Sequence, residues 1–182
     1  MSSSSNWPMA DGAGPRSRCR RSLLGAFLAA PLAAWAGVPP SPGLRRWGTG
    51  QFRRFGLLIY EATLWAGDNP QQPPLALRLD YRRTLSGAAI ADASIREMRR
   101  LGGDETALSE WGERLARIFP DVRPGDHITG IYQPERAVFL YKDQPLGEID
   151  DAAFARRFFA IWLDPRTSAP GLRAELLRPP RG

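Results

Sequence analysis

The sequence predicts an α+β fold, an antiparallel β-sheet packed against one layer of helices. Three observations carry that prediction. Strand-type runs open the folded part and return as a meander after residue 126, and segments with helical period lie between and after them. The strict alternation of strand and helix that builds a doubly wound sheet is absent.

Taken in order, the segment QFRRFGLLIYEATLW, Gln51 to Trp65, has the apolar and β-branched content of one strand with both faces partly buried. After a loop from Ala66 to Pro74, LALRLDYRRTL alternates. Leu75, Leu77, Leu79 and Tyr81 point inward, and Arg78, Asp80 and Arg82 point to water. Ser86 can cap a helix running to Leu101, with Ile90, Met98 and Leu101 near one face and Gly102-Gly103 ending it. Asp104 and Glu105 open a second helix. Its apolar residues Leu108, Trp111, Leu115, Ile118 and Phe119 keep helical spacing until Pro120.

The turn Arg123-Pro124-Gly125-Asp126 leads into strands His127–Tyr132 and Ala137–Tyr141, and a short strand Leu146–Ile149 follows. Asp150 or Asp151 then caps AAFARRFFAIWL, in which Phe154, Phe158, Ile161 and Trp162 face inward. Ser168 is the expected cap of the last helix, with Pro170 in its first turn. Trp65, Trp111 and Trp162 all fall on interior positions of their elements, which marks them as core.

The N-terminus reads as an export signal. Arg16, Arg18, Arg20 and Arg21 precede the apolar run Leu23 to Trp35, and Ala34-Trp35-Ala36 supplies a small-residue cleavage site. The adjacent Arg20-Arg21 before Ser22-Leu23-Leu24 fits a twin-arginine signal, with an ordinary secretory signal carrying two adjacent arginines as the alternative. The run is too short to span a bilayer core, and Pro31 interrupts it. The expected organisation is therefore a signal over 1–36, a Pro- and Gly-rich linker over 37–43, one domain over 44–178 and a tail over 179–182. The expected destination is the periplasm or the exterior, and the mature form keeps no integral membrane span.

Composition excludes several chemistries. Hydrophobic residues make up 43% and charged residues 24% of the 182, as in a soluble globular domain. Half of the formal +6 lies before Gly37, and no basic cluster interleaved with exposed aromatics forms a stacking platform, so nucleic acid is not an expected partner. Cys19, the single cysteine, precedes the apolar run and leaves with the signal. His127, the single histidine, follows a turn and reads as an exposed strand residue. That leaves neither a Cys-His pair nor a zinc ligand set, and no nucleophile-elbow serine motif occurs.

The string Gly48-Thr49-Gly50, then Arg53, Ile59-Tyr60-Glu61-Ala62 and Leu64-Trp65 resembles the opening of the bacterial chalcone isomerase-like domain. Tyr81, Gly125-Asp126, Leu146-Gly147-Glu148-Ile149, Phe154-Ala155 and Ile161-Trp162-Leu163 continue the resemblance, which covers Leu44 to Arg178. It implies a sheet packed on helices with a cleft between them for an amphipathic small molecule, and no cofactor. In the plant enzymes of this fold an arginine polarises an enone carbonyl and a threonine on the first strand assists through water. The arginine falls on Arg53, with Arg54 one register away. The threonine falls on Tyr60, and a later site threonine falls near Ala160, which has no hydroxyl. These departures weigh against chalcone cyclisation.

The candidate ligand contacts are accordingly Arg53, Tyr60 and Tyr81, with Arg53 and Tyr60 also the candidate catalytic pair. An arginine fork in a water-poor cleft can stabilise a developing enolate, and a tyrosine hydroxyl can relay a proton. A non-catalytic binder of a fatty-acid-like or aromatic molecule is the preferred expectation. An intramolecular lyase or isomerase on an enone or phenolic substrate, and a structural or partner-binding domain, are the alternatives. The sequence does not indicate an oligomeric state.

Overall fold

The computed structural model describes residues 43–179, so the expected signal, most of the expected linker and residues 180–182 of the expected tail lie outside the described residues. Ten elements follow in the order β1 (Arg45–Arg54), β2 (Leu57–Ala66), β3 (Leu75–Tyr81), α1 (Gly87–Arg100), α2 (Glu105–Ile118), β4 (His127–Gln133), β5 (Arg136–Tyr141), β6 (Gln144–Ile149), α3 (Ala152–Leu163) and α4 (Pro170–Leu176). The six strands form one antiparallel sheet in sequence order, with β3 and β4 paired across the α1–α2 excursion. This is the α+β sheet-and-helix architecture read from the sequence.

The expected single strand over Gln51–Trp65 is in fact two. The chain reverses at Phe55-Gly56, both at positive φ (50° and 79°), which is the pattern of a two-residue type I′ hairpin. Gly56 was the available turn signal, and the bulky Phe55 beside it disguised it. The strand β1 then extends back to Arg45, where no strand was expected.

Residues 48–50 have a physical role in this hairpin. A Cβ at Gly48 would sit 2.3 Å from the backbone oxygen of Glu175, and one at Gly50 would sit 2.8 Å from Leu172 Cδ1. Only glycine lets α4 lie flush on β1 there.

The helix starts follow the sequence where a side chain makes the cap. Ser86 accepts from Ala89 N at 3.2 Å and Asp104 from Ala107 N at 3.0 Å. Asp151 accepts from Ala153 N and Phe154 N and also from Trp111 Nε1 at 2.9 Å, which ties α3 to α2. The last helix differs from expectation. Ala169, not Ser168, is its N-cap, with no side-chain cap bond, and Pro170 at the first position has no N–H to satisfy.

The core fills the helix face of the sheet. Phe139 on β5 is fully buried and packs edge-on against Phe119 (5.1 Å between centroids) and Phe158 (5.2 Å). Trp65, Trp111 and Trp162 are buried as expected. Trp65 lies with Leu44, Ala76 and Ile131 in a separate small cluster. His127 is not exposed. Its side chain retains 13% of its accessible area, with Asp143 Oδ1 3.2 Å from Nε2 and Arg78 3.2 Å from Nδ1.

Asp126 closes the turn before β4. It accepts from Arg123 N (2.8 Å) and Tyr141 Oη (2.9 Å), and Lys142 Nζ lies 2.6 Å away. Its backbone oxygen receives the amide of Tyr81, so the same turn fixes the end of β3. The Lys142 ammonium and the two hydrogen bonds hold its carboxyl down to about 2. A carboxyl with a lowered folded pKa stabilises the fold above its unfolded value, near 3.9, and that contribution is lost as pH falls toward the folded value. Asp126→Asn is therefore expected to lower stability at pH 7 and to flatten the fall in denaturation midpoint between about pH 4 and 2. Denaturant melts of both proteins across that window check this.

Candidate functional site

Helix α1 packs on α2 and α3 rather than on the strands, so it stands off the sheet. Beneath it lies a cavity of about 300 Å³, at the small end of the roughly 300–1,000 Å³ of ligand pockets. Its floor is the helix face of β1 to β5, and its walls are α1, α3 and the 167–169 segment before α4. Leu77, Leu79, Ile128, Phe139, Phe158 and Ile161 make most of it apolar.

A β-bulge positions the first polar group. Phe52 pairs with Tyr60 and Arg53 with Leu58, so Ile59 is an extra residue on β2, and Ile59 and Tyr60 both reach the cavity. Phe52 stacks on Tyr60 (5.0 Å, 18°), and Tyr60 meets its cross-strand partner Tyr81 edge-on (6.0 Å, 72°). Trp162 Nε1 donates to Tyr60 Oη at 3.0 Å. The Tyr60 hydroxyl is therefore an acceptor toward α3 and keeps its own proton for a ligand. Trp162 is both core and cavity wall.

Burial pushes the Tyr60 phenol well above its usual range. The Trp162 bond opposes this in part, and the charge of Glu97 adds to it. Burial does the same to Tyr81, helped by its neighbour Tyr60, and the Tyr81 hydroxyl has no hydrogen-bond partner among the described residues. Both phenols stay protonated at neutral pH. They can donate hydrogen bonds but do not supply a phenolate base.

The arginines divide by strand alternation. Arg53 points away from the cavity to the open side of the sheet, where its guanidinium donates to Gln51 Oε1 (3.0 Å) and Gly56 O (3.4 Å). Arg54, one residue on, lines the cavity with Phe52, and Arg96 of α1 joins it. Neither Arg54 nor Arg96 has a carboxylate partner among the described residues, whereas Glu97, also in the wall, pairs with Arg100 at 3.0 Å. The structure thus brings together Tyr60, Tyr81 and Arg54 and leaves Arg53 outside.

Arg96 and Glu97 were not anticipated. The one available signal was charge near the inward stripe of α1, close to the spacing set by Ile90. Ala160 does not line the cavity. Among the described residues no group of three His, Cys, Asp or Glu side chains is placed to hold a metal ion.

A family model described as chalcone isomerase-like matches residues 55–178, about two-thirds of the chain. The chain belongs to the chalcone isomerase-like family. A relative, an uncharacterized protein of Haemophilus influenzae, is 28% identical over 151 residues, which is 83% of this chain and 72% of that protein. Among solved structures, a fatty-acid binding protein of Arabidopsis thaliana superposes with a TM-score of 0.60 at 12% identity, over 78% of this chain and 89% of its own. At that identity the likeness establishes the chalcone isomerase-like fold in this chain. No described helix is long and apolar enough to cross a membrane.

Proposed function

We propose that this chalcone isomerase-like domain binds an amphipathic small molecule, fatty-acid-like or aromatic, without transforming it. One observation carries the reading. The cavity is walled by apolar and aromatic side chains, while the hydroxyls of Tyr60, Tyr81 and Ser168 and the guanidiniums of Arg54 and Arg96 offer it polar hydrogens. Donors without a matching acceptor fit an anionic or carbonyl oxygen on an otherwise apolar ligand. The one carboxylate in the lining, Glu97, is paired with Arg100, and both phenols are neutral. The name of the Arabidopsis structural neighbour points to the same ligand class.

A medium-chain saturated fatty acid is expected to bind the purified protein measurably by calorimetry. Arg54→Ala is expected to weaken it about tenfold or more, the value of a charge-assisted hydrogen bond. Arg53→Ala is expected to change little. Ala93→Phe, which places a ring in the cavity without altering charge, is expected to abolish binding. Equal affinity in wild type, Arg54→Ala and Ala93→Phe contradicts the proposal.

We further propose that the domain works outside the cytoplasm, a reading supported by Arg20-Arg21, the apolar run and Ala34-Trp35-Ala36. The intact mass of the protein recovered from its own cells is expected to match a chain starting near Gly37. A cytoplasmic protein retaining its first residues contradicts it.

A further inference from the structure

Among the described residues, the only large hydrophobic side chains that stand exposed are Phe55 (91%) and Leu57 (51%), and both lie at the tip of the β1–β2 hairpin. Phe55 occupies a turn position at φ 50°, where glycine or asparagine is the unstrained choice and a bulky residue is an outlier. The exposed ring, held in a disfavoured backbone conformation, meets the Arg54 guanidinium 5.3 Å from its centroid and is otherwise open to solvent. Its position makes sense if the ring is buried by something outside the chain.

The charge around the tip defines that partner. Arg53 and Arg54 precede Phe55, and the Arg82 amide is bonded to Ile59 O at 2.8 Å, which brings the end of β3 alongside the hairpin with Arg83 next in sequence. Of these four, Arg82 is paired with Glu61, while Arg53, Arg54 and Arg83 have no carboxylate partner among the described residues. Two protruding apolar side chains are far too little for a stable protein interface, which buries about 1,200–2,000 Å² in total. A small apolar wedge ringed by arginines suits the interface of a bilayer carrying negative lipid.

We propose that the hairpin tip docks on an anionic lipid surface, with Phe55 and Leu57 at the headgroup boundary and Arg53, Arg54 and Arg83 against lipid phosphates. Docking this way does not require the cavity to hold a ligand. If it does, Arg54 belongs to both the tip and the cavity wall, and docking sets the cavity beside the lipid.

Sedimentation with vesicles of phosphatidylcholine alone, and of phosphatidylcholine mixed with phosphatidylglycerol, tests this. All variants are made in the full chain, so the apolar run Leu23–Trp35 is common to each and differences belong to the tip. The wild type is expected to prefer the anionic vesicles and to lose that preference at high salt. Phe55→Asn is expected to bind them roughly tenfold more weakly, and Arg83→Gln about fivefold more weakly. Phe55→Asn is also expected to be at least as stable as wild type, since asparagine tolerates the positive φ, so its loss cannot come from unfolding. Amide exchange over residues 52–58 is expected to slow when anionic vesicles are added. Equal binding by Phe55→Asn, no preference for negative lipid, or unchanged exchange at the tip overturns the proposal. So does a tip that captures a protein but no vesicle. Fatty-acid affinity is measured separately, so failure here leaves the binding function standing and failure there leaves the docking standing.

Discussion

Helix α1 is supported from its sides, by α2 and α3, rather than from below, and the cavity exists because of that arrangement. Under α3 the sheet is covered by interlocking aromatics, with Phe139 wedged between Phe119 and Phe158. At the β1 edge α4 lies directly on Gly48 and Gly50, where any side chain would lift it. With α3 and α4 anchored in this way and α1 standing off, a space lined by β2 and β3 stays unfilled. Close-packed interiors rarely leave such a space. Its rim is polar where α1 brings Arg96 over the sheet and β1 brings Arg54.

The chemistry of the site follows from which donors are already used. Trp162 occupies one side of the Tyr60 hydroxyl and fixes its orientation, while the Tyr81 hydroxyl meets no described partner. Both phenols are neutral, so each offers an O–H and neither supplies a phenolate. Arg54 and Arg96 at the rim are solvent-exposed and add positive charge there. Such a set supports the proposed ligand, an oxygen-bearing head group on an apolar body. The strand alternation that turns Arg54 inward turns Arg53 outward.

Much of the architecture was legible because local chemistry states it. Ser86, Asp104 and Asp151 each spend a carboxylate or hydroxyl on a helix start, and β3 alternates cleanly. The first hairpin was not legible, because Phe55 reads as strand, and only Gly56 hinted at a reversal. The choice between Arg53 and Arg54 was not legible either, since a turn and a bulge at Ile59 decide which of two neighbours looks inward. Tyr60 and Tyr81 were reachable because both stand in β-type runs of the sequence. Arg96 was not, because a helix residue reaches a cavity only through the tertiary placement of its helix. The buried state of His127 depends likewise on Arg78 and Asp143, distant in sequence.

Native mass spectrometry of the protein recovered from its own cells, followed by solvent extraction, tests the central claim of an amphiphile-binding cavity most directly. The account predicts a co-purifying small molecule with a long apolar or aromatic body and an oxygen-bearing head, retained by the wild type and lost from Arg54→Ala. A protein that emerges empty, or one that keeps its ligand when Arg54 is removed and the cavity is filled by Ala93→Phe, contradicts it.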